Sequence, residues 1–293
     1  MKKMLFLLNP VAGMRKANRV FVDILNIFNR ADYDVRVYIT ARPQDGISAV
    51  KALAPGMDLV VCCGGDGTFN ETITSLLQAE LDIPIGYIPA GSTNDLANSL
   101  GLSLDPLTAA KQIVDGQPVR YDVGRFEGRF FSYIASFGAF SKASYATPQS
   151  VKNALGHTAY LLEGIHELSQ IRKIHVKLEL DSETLEDDYL FGAICNSTSI
   201  GGIFSLDPNQ VDMQDGLFEV LLVRAPRDLS EIAECIRAVQ KQQYNCRMMT
   251  FRSVSQIRVY TEKPLSWTLD GEKEAGANAV AITNLHHAIT IQK

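Results

Sequence analysis

The chain has 293 residues, 46% hydrophobic and 21% charged, which excludes a disordered protein and suits two domains of about 150 residues each. Lys and Arg number 28 against 33 Asp and Glu, a formal charge of −5, so no global basic field exists to hold nucleic acid. The five cysteines, Cys62, Cys63, Cys195, Cys235 and Cys246, are odd in number and form no CxxC pair, a pattern that fits a reducing compartment better than a disulfide framework.

The first elements alternate in type. The apolar run over 4–8 follows Lys2-Lys3 but stops at Asn9-Pro10, too short for the core of a signal peptide; it reads as a buried strand. No stretch approaches the ~20 apolar residues of a membrane span, so the expectation is a cytoplasmic protein that meets a membrane only from its surface. Val20, Phe21, Ile24, Leu25 and Phe28 recur at helical spacing. Strands over 35–40, 59–63 and 85–88 then alternate with helices over 47–53, 68–78 and 92–100. The 59–63 strand is apolar on both faces, as inside a parallel sheet. This β-α-β-α series predicts an open parallel sheet carrying helices on its faces.

From about residue 121 the texture changes. Strands are predicted over 121–126, 129–136, 174–180, 190–196, 217–223, 254–260, 265–269, 279–282 and 288–291. A helix is expected over 158–168 and a second from Leu229, with Asp228 and Glu231 spaced as a capping box. Long strands joined by short turns argue for an antiparallel sandwich or barrel. The expected domains are therefore 1–122, α/β, and 123–293, a β-sandwich whose final strand could return to the first domain. Ligands of open α/β sheets bind beyond the carboxyl ends of the strands.

Gly64-Gly65-Asp66-Gly67-Thr68 is the sharpest chemical signal, directly after one strand and directly before a helix. Glycines let the backbone turn tightly and bring N–H groups close to a phosphate, and the following helix directs its positive end there. A plain connecting turn is the bland alternative. No Gly-Lys-Ser/Thr follows, so this is not a Walker A loop, and Asn70 stands where a dinucleotide fingerprint has its third glycine. Asp215-Gly216 and Asp270-Gly271 read equally well as hairpin turns or as parts of sites.

The loop Gly64–Thr68 with Asn70-Glu71 resembles the nucleotide loop shared by diacylglycerol kinases, sphingosine kinases, NAD kinases and phosphofructokinases. Asn9-Pro10-Val11-Ala12-Gly13 is similar to the opening loop of the lipid kinases. Residues 88–97, with Gly91-Ser92-Thr93-Asn94-Asp95 at their centre, are similar to the second signature of those enzymes, and Asp270-Gly271-Glu272 to their catalytic segment. Spread in order over nearly the whole chain, these matches resemble the bacterial soluble diacylglycerol kinases. That resemblance implies a phosphofructokinase- or NAD-kinase-like first domain and an ATP site from Asn9, Pro10, Val11, Ala12, Gly13, Thr40, Gly64, Gly65, Asp66, Gly67, Thr68, Phe69, Asn70 and Thr93. Catalytic roles fall on Glu272 as proton acceptor, on Asp270 and on Asp66. Mg²⁺ is implied twice, once with ATP and once on Asp212, Asp215 and the carbonyl of Leu217, an oxygen-only set of the kind Mg²⁺ prefers. Ser199-Ile200-Gly201-Gly202 and Asp207-Pro208 also fit the pattern. The partner implied is a lipid hydroxyl, most simply that of diacylglycerol, met transiently at a membrane surface; a homodimer is left open.

The remaining features are read plainly. Arg15 and Lys16 are candidates for phosphate contact or a solvated helix start. His286-His287 read as ordinary surface and core residues, while His157, His166 and His175 lack ligand spacing. Trp267 alternates with Leu265 and Leu269 and reads as core. Seven Lys/Arg against three Asp/Glu between Arg224 and Arg258 make a mildly basic stretch, a solvated face or an aid to docking on anionic lipid. The alternatives are a kinase for another lipid (a sphingoid base, phosphatidylglycerol), an NAD kinase, or a nucleotide-binding regulator without catalysis. The lipid-kinase form of the 9–13 and 91–95 segments weighs against the second, and the intact Asp66, Asp95, Asp270 and Glu272 against the third.

Overall fold

Five consecutive apolar residues, Met4 to Leu8, are buried in the first strand, β1 (Lys2–Leu8). A strand buried on both faces needs neighbours on both edges and helices above and below. In the computed structural model, which describes residues 1–13, 16–138, 173–200 and 204–293, β1 lies parallel to β2 (Tyr33–Ile39) on one edge and to β3 (Leu59–Gly64) on the other. β3 continues in parallel to β4 (Ile85–Pro89), and β4 to the end of the chain's last strand through Ile85 and Ile291. The predicted helix over 158–168, Arg15, Gly201, Gly202, His157 and His166 lie outside the described residues, as does the side chain of Lys16.

The intervening helices are α1 (Lys16–Arg19), α2 (Phe21–Arg30), α3 (Asp45–Leu53), α4 (Asp66–Gln78), α5 (Asp95–Ser99) and α6 (Pro106–Asp115). α2 turns Ile24 and Phe28 onto Met4 and Phe6, and α6 adds Ala109, Ala110 and Ile113 to the same cluster. Burying each large apolar side chain contributes about 1.5–3 kcal/mol, so this layer fixes how β1 and its neighbours end. α6 was not among the predicted elements although its signals are present. Asp105 caps it by accepting from the Thr108 N–H at 2.9 Å, and Pro106 occupies the first turn, where a missing N–H costs nothing. The helix predicted over 92–100 begins only at Asp95, because Asn94 sits at φ 52° in the left-handed region.

The described residues divide into two compact units, Met1–Val123 with Leu285–Lys293, and Gly124–Asn284. The chain passes between them within β5 (Pro118–Phe126). The second unit contains β6 (Arg129–Phe131), β7 (Ile134–Gly138), β8 (Ile174–Glu179), β9 (Thr184–Cys195), β10 (Ser199–Ile200), β11 (Phe204–Ser205), β12 (Phe218–Arg224), α7 (Leu229–Gln240), β13 (Met249–Val254), β14 (Gln256–Thr261), β15 (Trp267–Leu269) and β16 (Glu272–Glu274). The first five residues of β17 (Ala279–Gln292) pair there with β14. Among the described residues the strands of this unit pair antiparallel. The long β9 organises it: its first half pairs with β8 and its second half with both β7 and β12. Trp267 lies in the core, with Phe126 and Phe137 edge-on at 5.1 and 4.9 Å.

The expected fold class, a parallel α/β unit followed by an antiparallel sandwich, is the one observed. Four predicted strands differ in extent for identifiable reasons. The 129–136 run is broken where Ser132 and Tyr133 turn their N–H groups onto Asp270. The 254–260 run is preceded by a separate strand, with Ser255 and Gln256 N–H groups taken by Asp181 between the two. The 279–282 and 288–291 runs are one strand, bent at His287, φ 53°. Among the described residues no helix is long and apolar enough to cross a membrane.

Candidate active site

In the first unit the strand ends carry three glycine-bearing loops that touch one another. Gly13, at φ 49°, has the carbonyl oxygen of Ala90 2.3 Å from where a Cβ would stand, and a Cβ on Gly91 would lie 2.7 Å from the Cα of Gly65. Only glycine, which has no Cβ, allows backbones this close. Side chains lock the arrangement. Asn9 donates through Nδ2 to Thr68 Oγ1 at 2.9 Å, tying the first loop to α4. The Asn94 amide closes a ring on Gly91, accepting its N–H at 2.9 Å and donating to its carbonyl at 3.0 Å.

These loops wall a pocket of about 530 Å³. Of the sequence-derived nucleotide residues, Asn9, Pro10, Val11, Ala12, Gly13, Thr40, Gly65, Gly67 and Thr68 line it. Gly64 ends β3 behind it, Asn70 lies one turn into α4, and Thr93 is exposed on the 91–94 segment outside its wall. The Phe69 side chain faces the core and stacks on Tyr87 with centroids 4.4 Å apart. Asp66 is nearly buried; it accepts from Tyr87 Oη at 3.2 Å and from the Asp95 N–H at 3.1 Å, so one carboxylate ties α4 to β4 and to the start of α5. Cys62 and Cys63 behind the loop are fully buried, and burial pushes the Cys63 thiol up to about 12. Such thiols are inert.

The pocket has further walls: Ala41, Arg42 and Pro43, which sequence reasoning passed over, and Glu71 and Gly91, which belong to the family-like segments but were not assigned to the nucleotide. Arg42 is the cationic side chain among the described lining residues. The 41–45 segment that presents it is held by two carboxylates. Asp45 accepts the Ala41 N–H at 2.8 Å, and Glu71 accepts the Gln44 N–H at 2.9 Å. The signal available in the sequence was Asp45 and Glu71 themselves, acidic groups at the start of one helix and on the facing side of another.

In the second unit Asp270 and Glu272 have opposite surroundings. Asp270, at φ 47°, is taken up by four donors from the β6–β7 connection: the Ser132 N–H and Oγ at 2.5 and 2.6 Å, and the Tyr133 and Ile134 N–H groups at 3.0 and 3.1 Å. Burial pushes its carboxyl above the ordinary range, against the pull of those donors. Glu272, at the start of β16, is 68% exposed, with Arg129 Nη2 at 3.7 Å. Arg129 is also bound to Glu274, so it is shared rather than dedicated to Glu272.

The third group of predicted residues lies in the loop before β12. Asp212 and Asp215 each accept an N–H two residues on, from Gln214 at 3.0 Å and Leu217 at 2.9 Å. The Leu217 carbonyl accepts from Asn284 Nδ2 at 2.9 Å. Two buried oxygens of this region have no hydrogen-bond partner, Glu219 Oε2 and Asn284 Oδ1. Burial first, then the charges of Asp215 and Asp212, push the Glu219 carboxyl up to about 8. Orphaned acceptors beside two aspartates suit a hard cation that takes oxygen ligands. Glu219 escaped the sequence reading because it stands in an otherwise apolar strand.

The basic stretch is less basic in space than in sequence. Arg224 pairs with Asp187 at 3.1 Å, Arg247 with Glu234 at 2.8 Å, and Arg252 with Glu183 at 2.5 Å.

Comparison with known proteins gives a consistent answer. The family described as the diacylglycerol kinase catalytic domain matches residues 3–126, and that described as the YegS C-terminal NAD kinase β-sandwich-like domain matches residues 134–291. A diacylglycerol kinase of Bacillus subtilis is 28% identical over 93% of this chain and 90% of its own length. One of Staphylococcus saprophyticus is 26% identical over 92% and 89%. The crystal structure of a diacylglycerol kinase from Bacillus anthracis superposes with a TM-score of 0.77 at 20% identity, covering 99% of this chain and 96% of that one, which supports the fold. With both halves matched in order and the glycine loops assembled, the chain belongs to the bacterial diacylglycerol kinase family and is a lipid kinase.

Proposed function

We propose that this lipid kinase transfers the γ-phosphoryl group of ATP to the free hydroxyl of diacylglycerol, giving phosphatidic acid. The observation that carries this reading is the pocket of the first unit, walled by residues 9–13, Thr40, Gly65, Gly67 and Thr68 and carrying Arg42. A phosphate chain placed there meets close backbone N–H groups, the start of α4 and one guanidinium, all positive. Asn70 and Thr93 flank the site; Phe69 supports it from the core.

In the transfer, the acceptor hydroxyl gives its proton to the Glu272 carboxylate as its oxygen bonds to the γ-phosphorus. The bond from that phosphorus to the bridging oxygen breaks, leaving ADP. Glu272 is exposed, and a carboxylate within reach of the hydroxyl serves as its general base. Asp270 anchors the turn that precedes Glu272, and Asp66 orders the nucleotide loops through Tyr87 and Asp95. Bound Mg²⁺ offsets charge on the transferring phosphoryl group. A second Mg²⁺ is assigned to Asp212, Asp215 and the Leu217 carbonyl, where the orphaned Glu219 and Asn284 oxygens support the fit. The enzyme works from the cytoplasm, contacting the membrane peripherally, as a supplier of phosphatidic acid in phospholipid metabolism.

The test is phosphate transfer from labelled ATP, with Mg²⁺, to diacylglycerol, a sphingoid base, phosphatidylglycerol and NAD in parallel. Label in phosphatidic acid is the expected outcome. Preferential labelling of another lipid overturns the substrate, and labelling of NAD alone overturns the reading.

A further inference from the structure

We infer that Asp122, His286 and His287 form a binding site for a borderline transition-metal ion, best suited to Zn²⁺, independent of the phosphoryl-transfer chemistry. All three residues belong to the first unit. One ligand atom from each (an imidazole nitrogen from either histidine, a carboxylate oxygen from Asp122) lies within 4.8 Å of both others.

The arrangement depends on a local departure from strand geometry. Adjacent residues of a regular strand point to opposite faces, which is why two consecutive histidines in a strand ordinarily have nothing to do with each other. His287 instead sits at φ 53°, in the left-handed region, within the long strand β17. The departure brings the two imidazoles together, with centroids 3.8 Å apart and planes 32° from parallel.

β5 holds the bend in place. Asp122, 2% exposed, accepts the His287 N–H at 2.7 Å, and Arg120 donates to the His287 carbonyl at 3.2 Å. Both main-chain groups of the bent residue are therefore taken by side chains of β5. Arg120 is itself paired with Asp82 at 2.9 Å, which offsets its charge near the cluster. A carboxylate oxygen has lone pairs enough to accept an N–H and to bind a cation.

Two imidazole nitrogens and one carboxylate oxygen make the donor set of a zinc site that keeps a position for water. Mg²⁺ and Ca²⁺ prefer oxygen alone, so this cluster differs in chemistry from the oxygen-only group around Asp212 and Asp215. Cu²⁺, Ni²⁺ and Co²⁺ share the preference for imidazole. An ion held here would cross-link β5 to β17.

The experiment uses the full chain without a histidine tag. Zn²⁺ is titrated in competition with a chromophoric chelator of micromolar affinity, Co²⁺ serves as a spectroscopic probe, and melting is recorded with and without Zn²⁺. The expected result is one Zn²⁺ per chain, a d–d spectrum with Co²⁺, and a higher melting temperature that excess Mg²⁺ does not reproduce. His286→Gln, at an exposed position, and His287→Asn, which keeps a residue tolerant of positive φ, should each weaken Zn²⁺ binding by at least about tenfold and remove the melting shift. Failure of the wild type to hold Zn²⁺ overturns the inference. So does unchanged binding in both histidine variants, or binding lost only on Cys235→Ser or Cys246→Ser.

Discussion

Asp270 and Glu272 are separated by one glycine, yet the first carboxylate is enclosed by four donors while the second is 68% exposed. Their substitutions should separate cleanly. Glu272→Gln removes basicity and keeps shape, so turnover should fall by about 10² to 10⁴ while melting and ATP affinity stay at wild-type values; turnover within a few-fold of wild type would mean another group takes the proton. Asp270→Asn puts an amide where N–H donors converge. Charge-assisted hydrogen bonds are lost, about 1.5–3 kcal/mol in all, so denaturant midpoint and turnover should drop together, and an unchanged midpoint would contradict the anchoring role. The sequence presents Asp270-Gly271-Glu272 as one unit and cannot rank its carboxylates. The difference comes from Ser132, 138 positions earlier, whose turn the local pattern does not show. Arg42 was missed for a similar reason: what places it on the pocket is Asp45 and Glu71 holding its loop.

At the scale of elements, the nucleotide pocket is made by three strand ends whose glycines pack against one another. The glycines themselves were legible, because each follows a short apolar run and all three lie in recognisable segments. Their mutual contact was not, since Gly65 and Gly91 meet only once β3 and β4 are paired in register. Gly91→Ala tests that contact: its methyl would stand 2.7 Å from the Gly65 Cα, and backbone cannot yield as a side chain does. ATP affinity should fall by at least an order of magnitude, on the scale of about 1.4 kcal/mol or more, with the fold retained because both residues sit on surface loops. Wild-type ATP binding in this variant would show that the loops need no close packing. α6 illustrates the reverse case, an element passed over although its cap, its proline and the apolar positions Leu107, Ala110, Ile113 and Val114 were in plain view.

Over the whole molecule, the class of architecture was readable because hydrophobic patterning changes period from one half of the chain to the other. What patterning could not supply was extent: β9 pairs with three strands in succession, and β17 bends without ending. Dependence on Mg²⁺ belongs at this scale, since two sites in two units are assigned to it. Chelation should abolish turnover and Mg²⁺ restore it. Asp215→Asn should respond to added Mg²⁺ across a titration, whereas Glu272→Gln should not; an Asp215→Asn enzyme indifferent to Mg²⁺ would remove the second site from the mechanism.

The parallel sheet of the first unit is closed beside β4 by Ile291, a residue that follows the whole of the second unit in the chain. Emergence from the ribosome therefore cannot complete that sheet in order of synthesis. Until residues 285–293 appear, β4 presents an open edge on that side to solvent and to other nascent chains, the kind of edge that templates aggregation. Ordering a contact between positions so far apart also adds loop-closure entropy and slows folding. The nucleotide pocket, whose glycine loops spring from β1, β3 and β4, is thus built early in sequence and finished late in time, and a fragment ending at Val123 would carry every loop of that pocket on a sheet missing its final strand.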